Sequence, residues 1–393
     1  MSAKMIYLDN NATTQPSTEV TSAVMAAMTN QWGNPSSIHR KGQEARHQID
    51  LARESIAKLI NALPSEITFT SGGTEAANLA IHTACKTKPK CKVIITSHIE
   101  HAAVGEVIDN LGEEDYEVIR LENDGNGVVC LKQLAELLQK RSDEIAIVSI
   151  MWCNNETGVI EPIEEIVTMC HLHDVLVHSD GTQWVAKLPV DVKEVPLDML
   201  SFAAHKFHGP KGIGALYTRK GILVSPLVTG GPQERGRRGG TENVPAILGF
   251  GVAAAEAIDW LTDDNIQGME ELKAAFESLL LQKMPEVHIN SSGAKRAWTT
   301  SSISFPSIKG ELMLLMLSER GVCASSGSAC SSGALKESKV IEAIGTPDDG
   351  EWGTVRFSFA RTTTKQDVDE AIEALCCSLA TIQDVLETSS PST

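Results

Sequence analysis

The segment 201–214, SFAAHKFHGPKGIG, places one lysine between two predicted strands. Lys206 has His205 and His208 as near neighbours, and a proline and glycine turn follows it. A lysine at the end of a strand inside the fold is desolvated, and desolvation lowers the pKa of its ammonium group. The neutral amine is a nucleophile that can form a Schiff base with an aldehyde. Taken alone, the pattern also fits an exposed lysine in a turn.

A glycine-rich turn, SGGTE at 71–75, lies between a predicted strand and a predicted helix. Gly73 lets the backbone approach a ligand closely, and Thr74 opens a helix whose unpaired N–H groups attract an anion. The spacing is neither that of a dinucleotide-binding fingerprint nor that of a P-loop. The turn is therefore a candidate phosphate site, although many ordinary helices begin with a similar cap.

Two further polar side chains follow predicted strands. Asp180 ends the strand in VHSDGTQ at 177–183, where a carboxylate can hold a protonated pyridine nitrogen. The imidazole of His101 can stack on a flat ring and move protons. The alternatives are a helix-capping aspartate and a hydrogen-bonded core histidine. A zinc site at His98 and His101 is not expected, because cysteine or carboxylate partners at a suitable spacing are missing.

Cys330 lies among small polar residues and glycine, in SSGSACSSG at 325–333. An accessible thiol on a mobile loop, with a lowered pKa, has the properties of a nucleophile. By contrast, Cys170 and Cys377 lie on apolar helical faces, where a cysteine is typically a small core residue.

Composition limits the class of protein. The 393 residues are enough for a large domain and a smaller one, with 42% hydrophobic and 22% charged residues as in soluble globular proteins. The net charge of −17 disfavours direct binding to nucleic acid or to an acidic membrane. We find no apolar run of membrane-spanning length, no signal-peptide core near the start, and nine unevenly spaced cysteines. We therefore predict a cytoplasmic protein without a disulfide framework.

Short β-rich runs alternate with helical patterns from about residue 60 to 220, which predicts a mostly parallel sheet covered by helices on both faces. Ligands bind such sheets beyond the carboxyl ends of the strands. A long helical region at 243–281 then leads to a smaller α+β domain. The predicted strands are 66–70, 92–96, 116–121, 145–151, 175–178 and 199–202, and the predicted helices between them are 74–85, 102–111, 131–139 and 163–171.

Taken together, these residues belong to a series of motifs between positions 7 and 361. The series resembles the group I (NifS/IscS-like) cysteine desulfurases, which are fold type I pyridoxal-phosphate enzymes of the class-V aminotransferase family. The motifs are YLDNNATT at 7–14, NPSSIH at 34–39, TSGGTEAANLAI at 70–81, EHAAV at 100–104, NNETG at 154–158, HSDGTQ at 178–183, AHKFHGPKGIGALY at 204–217, GGPQERGRRGGTEN at 230–243, SSGSACSSG at 325–333 and VRFSFAR at 355–361.

The resemblance implies two domains. Residues 15–260 would form a large pyridoxal-phosphate-binding domain with a mostly parallel seven-stranded sheet between helices. Residues 1–14 and 261–393 would form a smaller α+β domain that carries the cysteine loop. It also implies a homodimer that converts L-cysteine to L-alanine and leaves a persulfide on Cys330. An acceptor protein would then take the sulfur for iron–sulfur cluster assembly or another thiolation pathway.

The resemblance also implies a role for each matched residue. Lys206 would hold pyridoxal 5'-phosphate covalently and move the α-proton of the substrate. His101 would stack on the ring and assist proton transfer, and Asp180 would pair with the ring nitrogen. Asn155 and Gln183 would bond the hydroxyl side of the ring. The phosphate would be held by Gly73, Thr74, His205 and Thr241 of a second subunit. Asn155 and Arg356 would bind the substrate, whose carboxylate Arg356 would clamp bidentately.

Two positions depart from the pattern of that family. Ala203 stands where a serine commonly donates to the phosphate, and Gly181 stands where an alanine methyl usually packs under the ring. Loss of one hydroxyl donor weakens cofactor binding by about 0.5–1.5 kcal/mol. Neither departure removes a group that the chemistry needs.

Two other functions remain open from the sequence. One is a different pyridoxal-phosphate enzyme, an aminotransferase or a cysteine lyase, which needs no nucleophilic thiol. The other is a catalytically silent, acidic dimeric scaffold that binds partners of a sulfur pathway.

Overall fold

The structure is a computed structural model, and it describes residues 5–326, 338–345 and 352–389. Apolar runs rich in β-branched residues form most of its strands, because such side chains pack well on a pleated, half-buried surface. In chain order the strands are β1 Ile6–Tyr7, β2 Ile67–Thr70, β3 Val93–Ser97, β4 Glu117–Leu121, β5 Ile145–Ser149, β6 Val177–Asp180, β7 Met199–Ala203, β8 Gly214–Thr218, β9 His288–Ile289, β10 Thr300–Pro306, β11 Val322–Cys323 and β12 Trp352–Ser358.

Helices lie between most of these strands. Several begin at a side chain that accepts a backbone N–H bond, such as Ser17 before the first helix and Ser338 before the tenth. In chain order the helices are α1 Thr18–Asn30, α2 Arg40–Leu59, α3 Gly73–Thr87, α4 Ala102–Glu114, α5 Leu131–Arg141, α6 Ile163–His171, α7 Val244–Trp260, α8 Asp263–Lys283, α9 Gly310–Glu319, α10 Lys339–Ile344 and α11 Lys365–Ser389.

Seven strands form one sheet in the order β2-β8-β7-β6-β5-β3-β4. Its pairs are parallel except at β8, which is antiparallel to both β2 and β7. Val93 and Ile95 pack in one apolar core and Ile94 in another, since successive side chains of a strand point to opposite faces. The predicted mostly parallel, seven-stranded sheet with helices on both faces is confirmed.

A second group of elements packs around its own core. Strands β12, β10 and β9 form an antiparallel sheet, and β1 near the N-terminus pairs in parallel with β11. Ile6 and Leu8 share one apolar core with Phe276, Phe305 and Phe357. This packing supports the division into 15–260 and 1–14 with 261–393, which stays a prediction.

The predicted long helical region at 243–281 is helical, and it forms two helices, α7 and α8. Helices α7 and α8 meet at an angle of 87°. The Thr262 side chain accepts the N–H of Asn265, and Asp263 and Asp264 follow in the first turn. Each of these features favours the start of a new helix over continuation of the old one.

Within the described residues, no single helix is long and apolar enough to cross a membrane. Helices α7 and α8 have the length and apolar composition of a membrane span only when they are taken together, as a sharply bent pair. The same part of the chain contains no group of three or more histidine, cysteine or acidic side chains arranged to hold a metal ion.

Candidate active site

Lys206 lies just beyond the carboxyl end of β7. The short turn Ala204–Lys206 follows β7 directly and leaves the lysine half-buried. Its Nζ donates to the main-chain carbonyls of Asn11, at 2.6 Å, and Ala12, at 3.0 Å. The N-terminal motif therefore crosses the carboxyl end of β7, where ligands of parallel sheets bind.

Asp180 is the last residue of β6 and lies one strand away from Lys206. It pairs with Ser201 of β7, and its side chain is almost completely buried. Its Oδ1 accepts the N–H of Thr182 at 2.9 Å, so it organises the turn after the strand. Since β6 and β7 are parallel, the carboxylate and the Lys206 amine occupy the same edge of the sheet.

His101 begins helix α4, after β3. Its Nδ1 accepts the N–H of Ala103 at 3.1 Å, which leaves Nε2 to carry the ring proton. The helix-capping contact thus coexists with the predicted ring-stacking role rather than replacing it. The half-buried imidazole lies at the same edge as Lys206, because β3 is parallel to the strands that follow it in the sheet.

The N-terminus of α3 lies at this edge and fits an anion. Gly72 caps the helix without a side-chain bond, so the N–H groups of the first turn are not taken by a capping side chain. A Cβ added to Gly73 would lie 3.2 Å from Oγ1 of Thr182 and 3.6 Å from the Cβ of Ala203. Thr74, the next residue, is exposed. This close approach of α3 to the ends of β6 and β7 fits a phosphate group.

His205 is half-buried beside Lys206. Burial, together with the nearby charges of Lys206 and Lys187, lowers the pKa of its imidazole to about 4. Its Nδ1 lies 3.2 Å from Oγ1 of Thr13. The ring is therefore neutral at neutral pH and presents a hydrogen-bonding group, not a charge, to an anion.

The predicted ring-hydroxyl ligands surround Asn11. Gln183 is buried, and its Nε2 donates to the Asn11 carbonyl at 3.0 Å. The Asn11 amide donates to the Asn155 carbonyl at 3.1 Å and to Oγ1 of Thr300 at 2.7 Å. Among the described residues, the buried Oδ1 of Asn11 has no hydrogen-bond partner. An unpaired buried acceptor is expected where a ligand completes the site.

Arg356, on β12, reaches the same region from the smaller group of elements. Its Nη1 donates to the Asn155 carbonyl at 3.0 Å, and its Nη2 donates to Oδ1 of Asp9 at 2.9 Å. Its buried Nε has no partner among the described residues. The guanidinium is thus held by two groups and retains donor capacity for a substrate carboxylate.

Of the remaining predicted site residues, Thr241 is not brought together with Lys206 of the same chain. Thr241 is exposed and lines a cavity of ≈ 400 Å³ together with Met28 and Trp32 of this chain. Cys330 lies outside the described residues.

Sequence reasoning missed three residues of the site, which are Asp9, Asn11 and Lys187. The first two lie in the motif YLDNNATT, whose polar residues were an available signal. Lys187 follows Gln183 by four residues, which gave no comparable signal. Among the other cysteines, Cys170 is buried as predicted, but Cys377 is exposed on the outer side of α11.

Comparison with known proteins places this geometry in context. The chain matches the family described as aminotransferase class-V over residues 6–371. It is 42% identical over 381 residues to the cysteine desulfurase NifS of Azotobacter vinelandii, covering 97% of this chain and 94% of that protein. It is similar to a solved NifS-like protein, with a TM-score of 0.88, 36% identity and coverage of 96% and 100%. It is also similar to SspA solved in complex with cysteine, with a TM-score of 0.79, 33% identity and coverage of 91% and 99%.

Proposed function

The chain belongs to the aminotransferase class-V family, and from this membership we propose that it is a pyridoxal-phosphate-dependent cysteine desulfurase. One observation carries the proposal: the Lys206 amine, the Asp180 carboxylate and the open N-terminus of α3 meet at one edge of the sheet. A relative that is 42% identical over 97% of this chain is a cysteine desulfurase. The substrate is L-cysteine and the products are L-alanine and a persulfide on the enzyme.

The residues of the site fit pyridoxal 5'-phosphate. When bound, the cofactor supplies an electron-withdrawing ring that stabilises negative charge on the substrate carbon. The α3 N-terminus at Gly73 and Thr74, with neutral His205, would hold the phosphate. The Asp180 carboxylate would keep a proton on the ring nitrogen, and the His101 imidazole would stack on the ring.

Four side chains act on the substrate or on the hydroxyl side of the ring. The Nζ of Lys206, once neutral, removes the proton from the α-carbon and returns it during turnover. Asn155 and Gln183 bind on the side of the ring hydroxyl. The guanidinium of Arg356 pairs with the substrate carboxylate and orients the α-carbon toward Lys206.

Cys330 accepts the sulfur. Its thiolate attacks the substrate sulfur, a sulfur–sulfur bond forms, and the substrate bond between Cβ and sulfur breaks. The electrons of the broken bond stay with the carbon skeleton, which takes up a proton and leaves as alanine. The reaction therefore needs no external oxidant or reductant.

A homodimer completes the phosphate site. Helix α1 and the residues after it carry an exposed apolar group, the α1 apolar patch, formed by Met25, Met28, Trp32 and Ile38. Exposed apolar groups of this kind mark association surfaces. Thr241 lies beside Trp32, so a second copy seated on the patch brings its own Thr241 toward this chain. The two-domain division, 15–260 and 1–14 with 261–393, is part of the same proposal.

An acceptor protein receives the sulfur, in iron–sulfur cluster assembly or another thiolation pathway, in the cytoplasm. The net charge of −17 suits an acceptor with a basic surface. Direct nucleic-acid or membrane binding is not part of this function. Transfer that is insensitive to salt would contradict an electrostatic mode of docking.

The test of this function is turnover of L-cysteine by the purified protein supplied with pyridoxal 5'-phosphate. With an added thiol that reduces the enzyme persulfide and releases its sulfur as sulfide, we expect equimolar alanine and sulfide without added keto acid. A requirement for keto acid would indicate an aminotransferase, and a colourless protein that does not turn over would indicate a scaffold.

Two further measurements assign the residues. Borohydride should fix the cofactor on Lys206 of the holoenzyme, as located by peptide mass. Cys330→Ser should abolish alanine release while leaving the visible absorbance intact. Full turnover by that variant would refute the persulfide assignment.

A further inference from the structure

A second lysine is buried next to the active site. Lys187 is only 5% exposed and lies in the turn between β6 and β7. Its main-chain carbonyl accepts the Nε1–H of Trp298 at 2.9 Å, which anchors the turn against the smaller group of elements. Its ammonium donates to Oε1 of Gln183, an uncharged partner. A buried ammonium is costly, and a neutral amide offsets only part of that cost.

The Lys187 contact determines which way the Gln183 amide points. An ammonium group can only donate, so it must meet the Oε1 end of the amide. On the opposite side, the Asn11 carbonyl can only accept, so it must meet the Nε2 end, 3.0 Å away. If Oε1 and Nε2 of Gln183 changed places, two donors would face each other at Lys187 and two acceptors would face each other at the Asn11 carbonyl.

The same carbonyl connects this contact to the reactive amine. Asn11 O accepts from Nε2 of Gln183 and also from Nζ of Lys206, at 2.6 Å. Lys187, Gln183, Asn11 and Lys206 therefore form one continuous hydrogen-bonded chain, which we call the amide bridge. Its Nε2 end faces the side where Lys206 lies.

Charge acts along the amide bridge as well. Burial lowers the pKa of Lys187 to about 7, with smaller effects from the Lys206 and Arg356 cations and an opposing one from the Cys153 thiol. The neighbouring imidazoles of His205 and His208 have lowered pKa values for related reasons, with Lys187 among their causes. Because the interaction is mutual, a proton on Lys187 disfavours a proton on Lys206.

We propose that Lys187 is a positioning residue that acts through Gln183, holding its Nε2 toward the ring hydroxyl of the cofactor. This inference rests on the proposed function.

The test compares holoenzymes of Lys187→Met and the wild type. The dissociation constant for pyridoxal 5'-phosphate should rise about tenfold, the loss expected for one hydrogen bond to a charged group. The pH midpoint of the visible absorbance should rise by about one unit, because a cation near Lys206 is gone. The apoprotein should keep or raise its melting temperature, since methionine removes a buried charge. Lys187→Arg, which keeps a charged donor, should restore both readouts.

Lys273 supplies a matched control. It is also buried, its Nζ donates to the Ala297 carbonyl at 2.8 Å, and burial lowers its pKa to about 8. It belongs to α8, and its ammonium is held by a main-chain carbonyl instead of the Gln183 amide. Lys273→Met should leave the cofactor affinity and the pH midpoint unchanged.

The Gln183→Ala background tests whether Lys187 acts through the amide. The cofactor dissociation constant of Lys187→Met with Gln183→Ala should equal that of Gln183→Ala alone. Additive effects, or wild-type affinity and pH midpoint in Lys187→Met, would overturn the inference. Should Lys187→Met not fold, Lys187→Gln serves the same comparison. A wild-type protein that forms no borohydride-stable adduct would instead overturn the proposed function.

Discussion

Nη2 of Arg356 lies 2.9 Å from Oδ1 of Asp9, across a sequence separation of 347 residues. The arginine is 3% exposed at its side chain and the aspartate 21%. This ion pair joins the first and last motifs of the chain, and it holds the guanidinium beside the Asn155 carbonyl. The Arg356 guanidinium, the candidate group for binding the substrate carboxylate, is thus oriented before any substrate arrives, which lowers the entropic cost of binding.

Arg356→Lys should raise KM for L-cysteine at least about tenfold, because an ammonium cannot make the two parallel bonds of a guanidinium. Steady-state alanine production measures the change. Arg361→Lys is the matched control, since Arg361 lies in the same motif but pairs with Glu256 at 2.6 Å. An unchanged KM in Arg356→Lys would show that the guanidinium does not bind the substrate.

Glu100 should make folding pH-dependent. Burial raises the pKa of its carboxyl to about 8, so its contribution to stability is full below about pH 4.5 and is lost as the pH rises through 8. Glu100→Gln cannot ionise, and its stability relative to the wild type should therefore improve by about 3 kcal/mol between pH 5 and pH 8. Urea unfolding at both pH values measures this. The exposed Glu106→Gln is the control, and an equal difference at both pH values for Glu100→Gln would contradict the prediction.

Gly181→Ala should destabilise the protein by about 1–3 kcal/mol, as overpacking of a core does. A Cβ at this position would lie 2.7 Å from Cδ1 of Leu200, which occupies the space of the usual alanine methyl. Leu200→Val in the same chain should recover part of the loss. Gly105→Ala, where an added Cβ meets nothing within 4 Å, is the control in thermal unfolding. Wild-type stability of Gly181→Ala would mean that Leu200 moves freely.

Ala203→Ser should tighten cofactor binding about 2- to 10-fold, the effect of one added hydrogen bond. The Ala203 side chain lies next to Gly73 at the N-terminus of α3, so a hydroxyl there reaches the phosphate region. Titration of the apoprotein with pyridoxal 5'-phosphate measures the affinity. Weaker binding would place the phosphate elsewhere.

Trp32→Asp should dissociate the proposed homodimer, because it puts a charge in the α1 apolar patch. Light scattering should give the mass of one chain, 42.3 kDa, and cofactor affinity should fall since Thr241 of the second subunit is lost. Leu172→Asp is the control, because Leu172 is 80% exposed on another surface. A dimeric Trp32→Asp with unchanged affinity would refute this interface.

Local sequence patterns predicted much of the large sheet. The strands at 145–149 and 199–203 were expected within two residues, because a buried parallel strand is a short apolar run bounded by turn residues. Lys206, Asp180 and His101 were predicted as site residues for the same reason, since each lies at or after the end of such a run. The break between α7 and α8 was missed because the region keeps a helical composition on both sides of Thr262.

By itself the sequence determined most strands of the large sheet and the residue types at their ends, since propensity and periodicity act over a few neighbouring residues. Only the tertiary structure decided that Asn11 joins Gln183 to Lys206, that Asp9 holds Arg356, and that Leu200 fills the space beside Gly181. Those contacts depend on how distant segments pack. Packing depends on the burial and hydrogen bonding of the whole chain, so a short stretch of sequence does not determine it.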